Sequence, residues 1–345
     1  MSLPAVSVIF LSYNQQDYVR EALRSILAQD LPDYEVVIGD DASRDDTRRI
    51  IEEEVAAYRG PARIALLPHA PNLGIIRNFN RCAARTSGDI LVVAAGDDVS
   101  HPQRLRRVAE FFRDHPGCYA HYSNARVVDK AGAVLRPSWY HHQGVLTGSF
   151  DPRSFHLYQG VQFCGATASY RAEVHRRFPP MYGVVGGEDG PSIIRALLLG
   201  AASVDATILL DWRWHGANVS HGGKPKGLDW RAKLRRSAAW PAGQKVHRRG
   251  YLSDIAFALK EGIVTPEKAA RLRQLTDDLH AQASVKLHCT HPNARWSAIG
   301  GAIRRFWQVS PRGIAWKLRF LAKCLAKKAL PGPLRAIVLF DFSKF

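Results

Sequence analysis

No run of about eighteen uncharged apolar residues occurs in this 345-residue sequence, so no helix is expected to span a membrane. The best candidate, Ala196 to Leu210, is interrupted by Asp205. No secretory leader is expected either: no basic segment precedes the first apolar stretch, which is broken by Ser12 and Asn14. Cysteines are few, odd in number and scattered (Cys82, Cys118, Cys164, Cys289, Cys324), with no CxxC pair, which argues against a disulfide framework and for a reducing compartment. His288, Cys289 and His291 are potential metal ligands, but no second ligand cluster accompanies them, so a zinc site is not expected there. Internal repeats are also absent.

Acidic residues become scarce toward the C-terminus. The net charge is +17, and the excess is concentrated late. Nine Lys/Arg stand against Asp229 alone between Gly222 and Gly250, and ten against Asp341 alone between Gly301 and Phe345. With 46% hydrophobic and 23% charged residues the composition is that of a folded chain, long enough for one large or two modest domains.

The N-terminal part alternates apolar, β-branched runs with helical segments. Strands are expected at Val6–Leu11, Glu35–Gly39, Arg63–Leu67 and Ile90–Ala95. Helices are expected at Asp17–Ala28, from Ser43 as cap through Asp46 and on over Thr47–Ala57, at Ile75–Arg85 and at Pro102–His115. This alternation predicts an α/β fold, a doubly wound, mostly parallel sheet. Further on, a strand at Tyr119–Ser123, a hairpin joining Val127–Asp129 to Val134–Pro137, a helix at Ile193–Leu199 and a strand at Thr207–Trp214 are expected. The glycine- and lysine-rich segment Gly222–Gly227 reads as a boundary between a domain over 1–221 and a basic, tryptophan-rich, mainly helical region over 222–345.

Ligands of open α/β sheets bind beyond the carboxyl ends of the strands. Tyr13 and Asp41 lie at two such ends. Most acidic pairs on a surface are merely solvated, and Asp45-Asp46 reads as helix N-terminal charge favoured by the macrodipole. Asp97-Asp98 differs, because an apolar strand runs directly into two like charges that call for a cation; oxygen ligands suit Mg²⁺ or Mn²⁺. Glu188-Asp189 follows two glycines and opens a helix, which suits a general base for a hydroxyl nucleophile.

These motifs, in this order, resemble family 2 glycosyltransferases of the GT-A fold: Val6–Ile9 with Ser12-Tyr13-Asn14, Asp40–Ser43 with Asp46-Thr47, Asn72–Gly74 with Arg77-Asn78, Gly88-Asp89, Gly96–Asp98 with Pro102 and Leu105, Glu188-Asp189 with Arg195 and Gly200, and Trp212–His215 with Asn218 and Ser220. The resemblance covers roughly residues 4–221 and implies inverting, metal-dependent transfer of a sugar from a nucleoside diphosphate to an acceptor hydroxyl. It implies a donor site of Leu11, Tyr13, Asn14, Asp41, Arg77, Asp97 and Asp98, with Tyr13 stacking on the base and Asp41 bonding a uracil-type imide, hence a UDP-sugar. Asp97, Asp98 and His215 are its candidate ligands for Mg²⁺ or Mn²⁺, His215 reading equally as a histidine hydrogen-bonded in a loop, and Asp189 is its base. One departure stands out: Ala95 replaces the first Asp of the DxD pattern. A catalytically inactive sugar-binding or scaffold protein is the alternative that this departure supports.

By association with the family, the acceptor is expected to be a glycan or lipid-linked sugar of a cell envelope. Beyond residue 222, Trp230, Trp240, Trp296, Trp307 and Trp316 are interleaved with Lys and Arg, and from Ile314 a helix would gather Ile314, Leu318, Leu321 and Leu325 on one side. This implies either a solvated basic tail or a helix that lays its leucines on the catalytic domain and turns Trp316 and Phe320 towards anionic lipid. Nucleic acid is the other partner class for so basic a segment, but no recognition motif accompanies it, so none is expected. The chain is thus expected to be cytoplasmic, peripheral on the membrane's inner face.

Overall fold

The computed structural model describes residues 3–67, 71–140, 147–154, 163–182, 187–215, 218, 247–290, 295–310 and 312–329. These divide into two compact units, one drawn from Met1–Asp151 and Val161–Gly223, the other from Pro152–Gly160 and Lys224–Phe345. The boundary expected at Gly222 lies outside the described residues.

The first unit is an α/β sheet. Its elements are β1 (Val6–Ser12), α1 (Val19–Leu27), β2 (Tyr34–Asp40), α2 (Thr47–Ala57), β3 (Ala62–Leu67), α3 (Ile75–Ala83), β4 (Ile90–Ala95), β5 (Val99–Ser100), α4 (Arg104–Asp114), β6 (Cys118–Val128), β7 (Val134–Arg136), β8 (Gly148–Phe150), β9 (Ala168–Arg171), α5 (Glu173–Arg176), α6 (Asp189–Leu199) and β10 (Ala201–Arg213). The strand order is β3-β2-β1-β4-β9-β6-β10-β5, with β7 on β6 and β8 on β10. Neighbours among β3, β2, β1 and β4 are parallel, as is the β6–β10 pair, whereas β9 runs antiparallel to both β4 and β6. The expected doubly wound, mostly parallel sheet is therefore present.

Alternation along the strands sorts the core by face. Val8 and Phe10 of β1, Val36 and Ile38 of β2, and Val92 and Ala94 of β4 share one cluster with Leu23 and Ile26 of α1, Ile51 of α2, and Leu105, Val108 and Phe112 of α4. On the sheet, α3 packs against β1 and β2. Because Ile9, Val37 and Val93 are buried as well, the central strands are apolar on both faces, the composition that parallel strands require.

Three details differ from the sequence expectation. Ser43 does not cap α2: its hydroxyl bonds Asp40, and the Asp45 carboxylate accepts the Thr47 N–H at 3.0 Å. The strand expected to stop at Ser123 runs on to Val128. Asn124, a residue type typical of turns, is tolerated mid-strand because its amide donates to Ser138 Oγ at 2.8 Å and to the Ala206 carbonyl, while its oxygen accepts the Ala125 and Trp139 N–H groups. Finally, α6 starts at Asp189 rather than Ile193, because Pro191 falls in its first turn, where no N–H is needed.

The second unit is helical among its described residues: α7 (247–260), α8 (Pro266–Thr290), α9 (Trp296–Val309) and α10 (Ile314–Ala329). Ala281, Val285 and Cys289 of α8, Ile299, Ala302 and Phe306 of α9, and Leu321 and Cys324 of α10 form its core. Cys289 is thus a core residue, and His288 Nδ1 lies 2.7 Å from the Ser284 carbonyl. The expected orientation of α10 is corrected. Trp316 and Phe320 stack on each other and pack against Phe306, so the aromatic side faces inward. Of the aliphatic stripe, Leu321 is buried, but Ile314 and Leu318 are exposed. No helix among the described residues is long and apolar enough to cross a membrane.

Candidate active site

The carboxyl ends of β1 and β2 are laced together by side chains. Asp40, buried, takes the Ser43 N–H at 3.0 Å and the Ser12 hydroxyl at 3.3 Å. The Ser43 hydroxyl in turn accepts the Asn14 N–H at 2.9 Å, and Asn14 Oδ1 accepts the Arg44 N–H at 2.8 Å. Asn14 and Ala42 both sit in the left-handed region, at φ 51° and 59°, which re-aims the chain sharply after each strand. Leu11 is buried beneath this loop, whereas the Tyr13 ring is 42% exposed and available for stacking. The Asp41 carboxylate accepts the Leu73 and Gly74 N–H groups at 2.7 and 2.8 Å, and so also ties down the segment that leads into α3. Arg77 is exposed in the first turn of α3, next to buried Asn78, whose amide bonds the Gly39 carbonyl.

Beyond β4 lies the acidic turn. Gly96 allows it to approach β1 closely, since a Cβ there would stand 2.5 Å from Gln15 Oε1 and 3.1 Å from Ser12 Cβ. Asp97 and Asp98 are both buried. Asp97 Oδ2 lies 2.8 Å from His215 Nε2 and 3.5 Å from the Asn218 amide, residues brought in just beyond the end of β10. Asp98 Oδ1 accepts the Arg213 N–H at 2.9 Å. Burial and then the Asp97 charge push the Asp98 carboxyl well up from its ordinary range.

Arg213 organises this corner. Its buried guanidinium donates to the Asp97 carbonyl at 3.1 Å, the Lys130 carbonyl at 3.0 Å and Glu21 Oε2 at 2.6 Å. It also lies 5.3 Å from the centre of the Tyr18 ring, and Tyr18 stacks on His215 at 4.8 Å. A second buried guanidinium, Arg104 of α4, bonds Ser100 Oγ and the Val93 and Ala166 carbonyls; burial lowers its pKa to about 10, against the opposing pull of Asp98.

The third acidic centre starts α6. Glu188 is buried and Asp189 half-buried, and Asp189 Oδ1 accepts the Gly190 N–H at 2.9 Å. Burial raises the pKa of both, and for Glu188 the Asp189 charge adds to the rise. A raised carboxylate pKa moves the group towards the range in which it works as a base near neutrality. A turn over Gly165–Thr167 connects this centre with the acidic turn: Ala166 accepts from Arg104, while a Cβ on Gly165 would lie 3.3 Å from Glu188 Oε1. Burial pushes the adjacent Cys164 thiol up, with contributions from Asp98 and, least, from Asp189.

The sequence reading thus placed Asp97 and His215 in one site, and the structure brings them together. It gave no role to Arg213, Asn218, Tyr18 or the Cys164–Thr167 turn. An arginine between two tryptophans at the end of an apolar strand was the available signal for Arg213.

Residues 7–177 match the family model described as Glycosyl transferase family 2. EpsE of Bacillus subtilis, named as a glycosyltransferase, is 31% identical over 173 residues, 50% of this chain and 58% of its own length. TuaG of the same organism, named for teichuronic acid biosynthesis, is 32% identical over 132 residues, 38% of this chain and 51% of its own. The chain therefore spans little more than half the length of these relatives. Among solved structures, residues 1–349 of TarS from S. aureus, in complex with UDP-GlcNAc, superpose with a TM-score of 0.52 at 16% identity, over 88% of this chain and 90% of that one. The mannosyltransferase PcManGT from Pyrobaculum calidifontis, in complex with GDP-Man and Mn²⁺, gives 0.52 at 19% identity, over 99% and 87%. At such identities the likeness is one of fold.

Proposed function

We propose that this chain, a member of glycosyltransferase family 2 through residues 7–177, transfers a sugar from a nucleoside diphosphate to an acceptor hydroxyl in cell-envelope polysaccharide synthesis. The observation that carries the reading is the meeting of Asp97 and His215, 118 residues apart in sequence and 2.8 Å apart in space, beyond the ends of the strands. Relatives support the substrate class: TuaG by its name, TarS and PcManGT by the nucleotide sugars they hold.

Uridine is the base we favour, stacked on exposed Tyr13 with its imide N–H donating to Asp41, whose oxygens keep a lone pair each beyond their backbone bonds. Arg77 and the loop around Asn14 then face the ribose and phosphates. The donor set suits Mg²⁺ or Mn²⁺. Asp97 has one oxygen engaged by His215 and Asn218, and Asp98 supplies a second carboxylate. Among the described residues no group of three or more His, Cys, Asp and Glu gathers tightly enough to hold a metal alone. An ion completed by diphosphate oxygens fits that set, because these cations keep several non-protein ligands. When bound, it would neutralise charge on the departing diphosphate.

Asp189 takes the proton of the acceptor hydroxyl as that oxygen attacks the anomeric carbon and the bond to the diphosphate breaks. One base without a second nucleophile gives inversion. Glu188 and the neighbouring buried tyrosines, Tyr122 and Tyr170, keep water from the rear of this carboxylate. The cytoplasm, where nucleotide sugars are made, is the compartment that fits.

The test combines donor binding with turnover. A panel of nucleotide sugars is screened by thermal shift with Mn²⁺ and with EDTA. Asp97→Asn is expected to abolish the metal-dependent shift; Asp189→Asn is expected to keep it and to lose about 10²–10⁴-fold in turnover. Donor binding indifferent both to EDTA and to Asp97→Asn refutes the metal assignment. Full turnover in Asp189→Asn removes that residue as the base.

A further inference from the structure

We propose that the outer face of α9 and the start of α10 form a docking surface for an anionic phospholipid bilayer, seated by exposed apolar side chains and held by basic residues of the same two helices. Inside the helical unit, Ile299, Ala302 and Phe306 of α9 point into the core. Trp296 and Trp307 do not: they are 63% and 40% exposed. Eleven residues separate them, close to three turns of 3.6, so they lie along one line of the helix. On α10, Ile314 and Leu318 are one turn apart and are 67% and 56% exposed. The two helices meet at this surface. Lys317 Nζ donates to the Trp307 carbonyl at 3.0 Å and sits 5.3 Å from the centre of its ring, which ties the start of α10 to the end of α9.

Exposed apolar side chains gathered in this way usually mark an interaction site. Charge identifies the occupant. Between Asp278 and Asp341 the sequence has eleven Lys/Arg and not one Asp or Glu. Arg304 and Arg319 are exposed on the same two helices. A surface of one sign needs a polyanion. Apolar tips among the cations need a partner with an interior to enter, and a bilayer provides both, whereas nucleic acid provides only the first. Tryptophan and lysine are the side chains that settle at the headgroup level, with an apolar body inside and a polar end in water. Since no described helix can span, the attachment is peripheral.

The proposal is independent of the catalytic reading, and its test uses the full chain without substrate. Flotation is measured with vesicles of phosphatidylglycerol mixed with phosphatidylcholine, with phosphatidylcholine alone, and with a single-stranded RNA as competitor. Binding is expected to the mixed vesicles only, to weaken with salt, and to persist in excess RNA. The double variant Ile314→Ser/Leu318→Ser is expected to lose at least about tenfold in partitioning with its melting temperature unchanged, since both side chains are already in water. Arg304→Gln/Arg319→Gln is expected to lose binding chiefly at low salt. Equal partitioning of the aliphatic double variant and the parent overturns the proposal. So does displacement of the vesicles by RNA, which would assign the basic surface to nucleic acid.

Discussion

Replacing Arg213 with methionine tests whether one guanidinium holds the acidic turn in place. The substitution keeps the unbranched stem and removes three donors. The Asp97 and Lys130 carbonyls lose bonds of 3.1 and 3.0 Å from a charged group in a buried corner. Each such bond contributes on the order of 1.5 kcal/mol. The Tyr18 contact at 5.3 Å adds about 0.5–1 kcal/mol. Glu21, 63% exposed, returns to water when its partner goes, so that ion pair counts for little. The sum is about 3–4 kcal/mol, which for a unit of this size lowers the melting temperature by on the order of 10 °C. Binding should suffer beyond stability, because Tyr18 would no longer be pinned against His215. Thermal unfolding and Mn²⁺-dependent donor binding are measured together, the latter well below the variant's midpoint. A variant that melts within about 2 °C of the parent contradicts the reasoning, because that shift corresponds to about 0.5–1 kcal/mol.

Two further outcomes follow from the sheet and from α6. Gly39→Ala would push a Cβ onto Asn78 Oδ1 and to 2.5 Å from Cys82 Sγ. This breaks the Asn78 bond to the Gly39 carbonyl and is expected to cost about 1–3 kcal/mol in urea unfolding; a neutral effect would mean that α3 can slide freely on β2. The raised pKa of the Glu188-Asp189 pair gives a pH dependence of known sign. The folded state binds a proton more tightly than the unfolded chain, so this stability is full below the ordinary carboxylate range and is lost as pH rises through the raised values. Glu188→Gln should flatten the decline in melting temperature from acid towards neutral pH, and parallel curves for the two proteins would refute this assignment.

The strands buried on both faces were legible because parallel sheets demand continuous apolar runs, and β1, β2 and β4 show them. The length of β6 was not legible: Ser123 and Asn124 look like a turn, and only long-range partners such as Ala206 keep them in a strand. The start of α6 was hidden by Gly190 and Pro191, whose local preferences oppose a helix that tertiary packing nevertheless forms. In the candidate site, the pairing of Asp97 with His215 was legible from motif order, and the role of Asp189 is a proposal from residue type and motif order. Arg213 had only its place between two tryptophans as a signal, and that does not say what its guanidinium holds. The α10 stripe misled in a different way: spacing defines the faces of a helix but not which of them a neighbour covers, and Phe306 drew in the aromatic one.

The position of β10 has a consequence for biosynthesis. This last strand of the sheet lies between β6 and β5, and β5 has no other strand partner among the described residues. Until residues 201–218 leave the ribosome, the Asp97-Asp98 turn has neither Arg213 behind it nor His215 in front, and β6 presents an open edge. The Asp97–His215 corner therefore cannot form gradually from the N-terminus; it forms in one late step that closes a loop of more than a hundred residues. Long-range closure of this kind is slow. The nascent unit depends on chaperones most in the interval just before β10 docks, and a product truncated ahead of it would be an aggregation hazard.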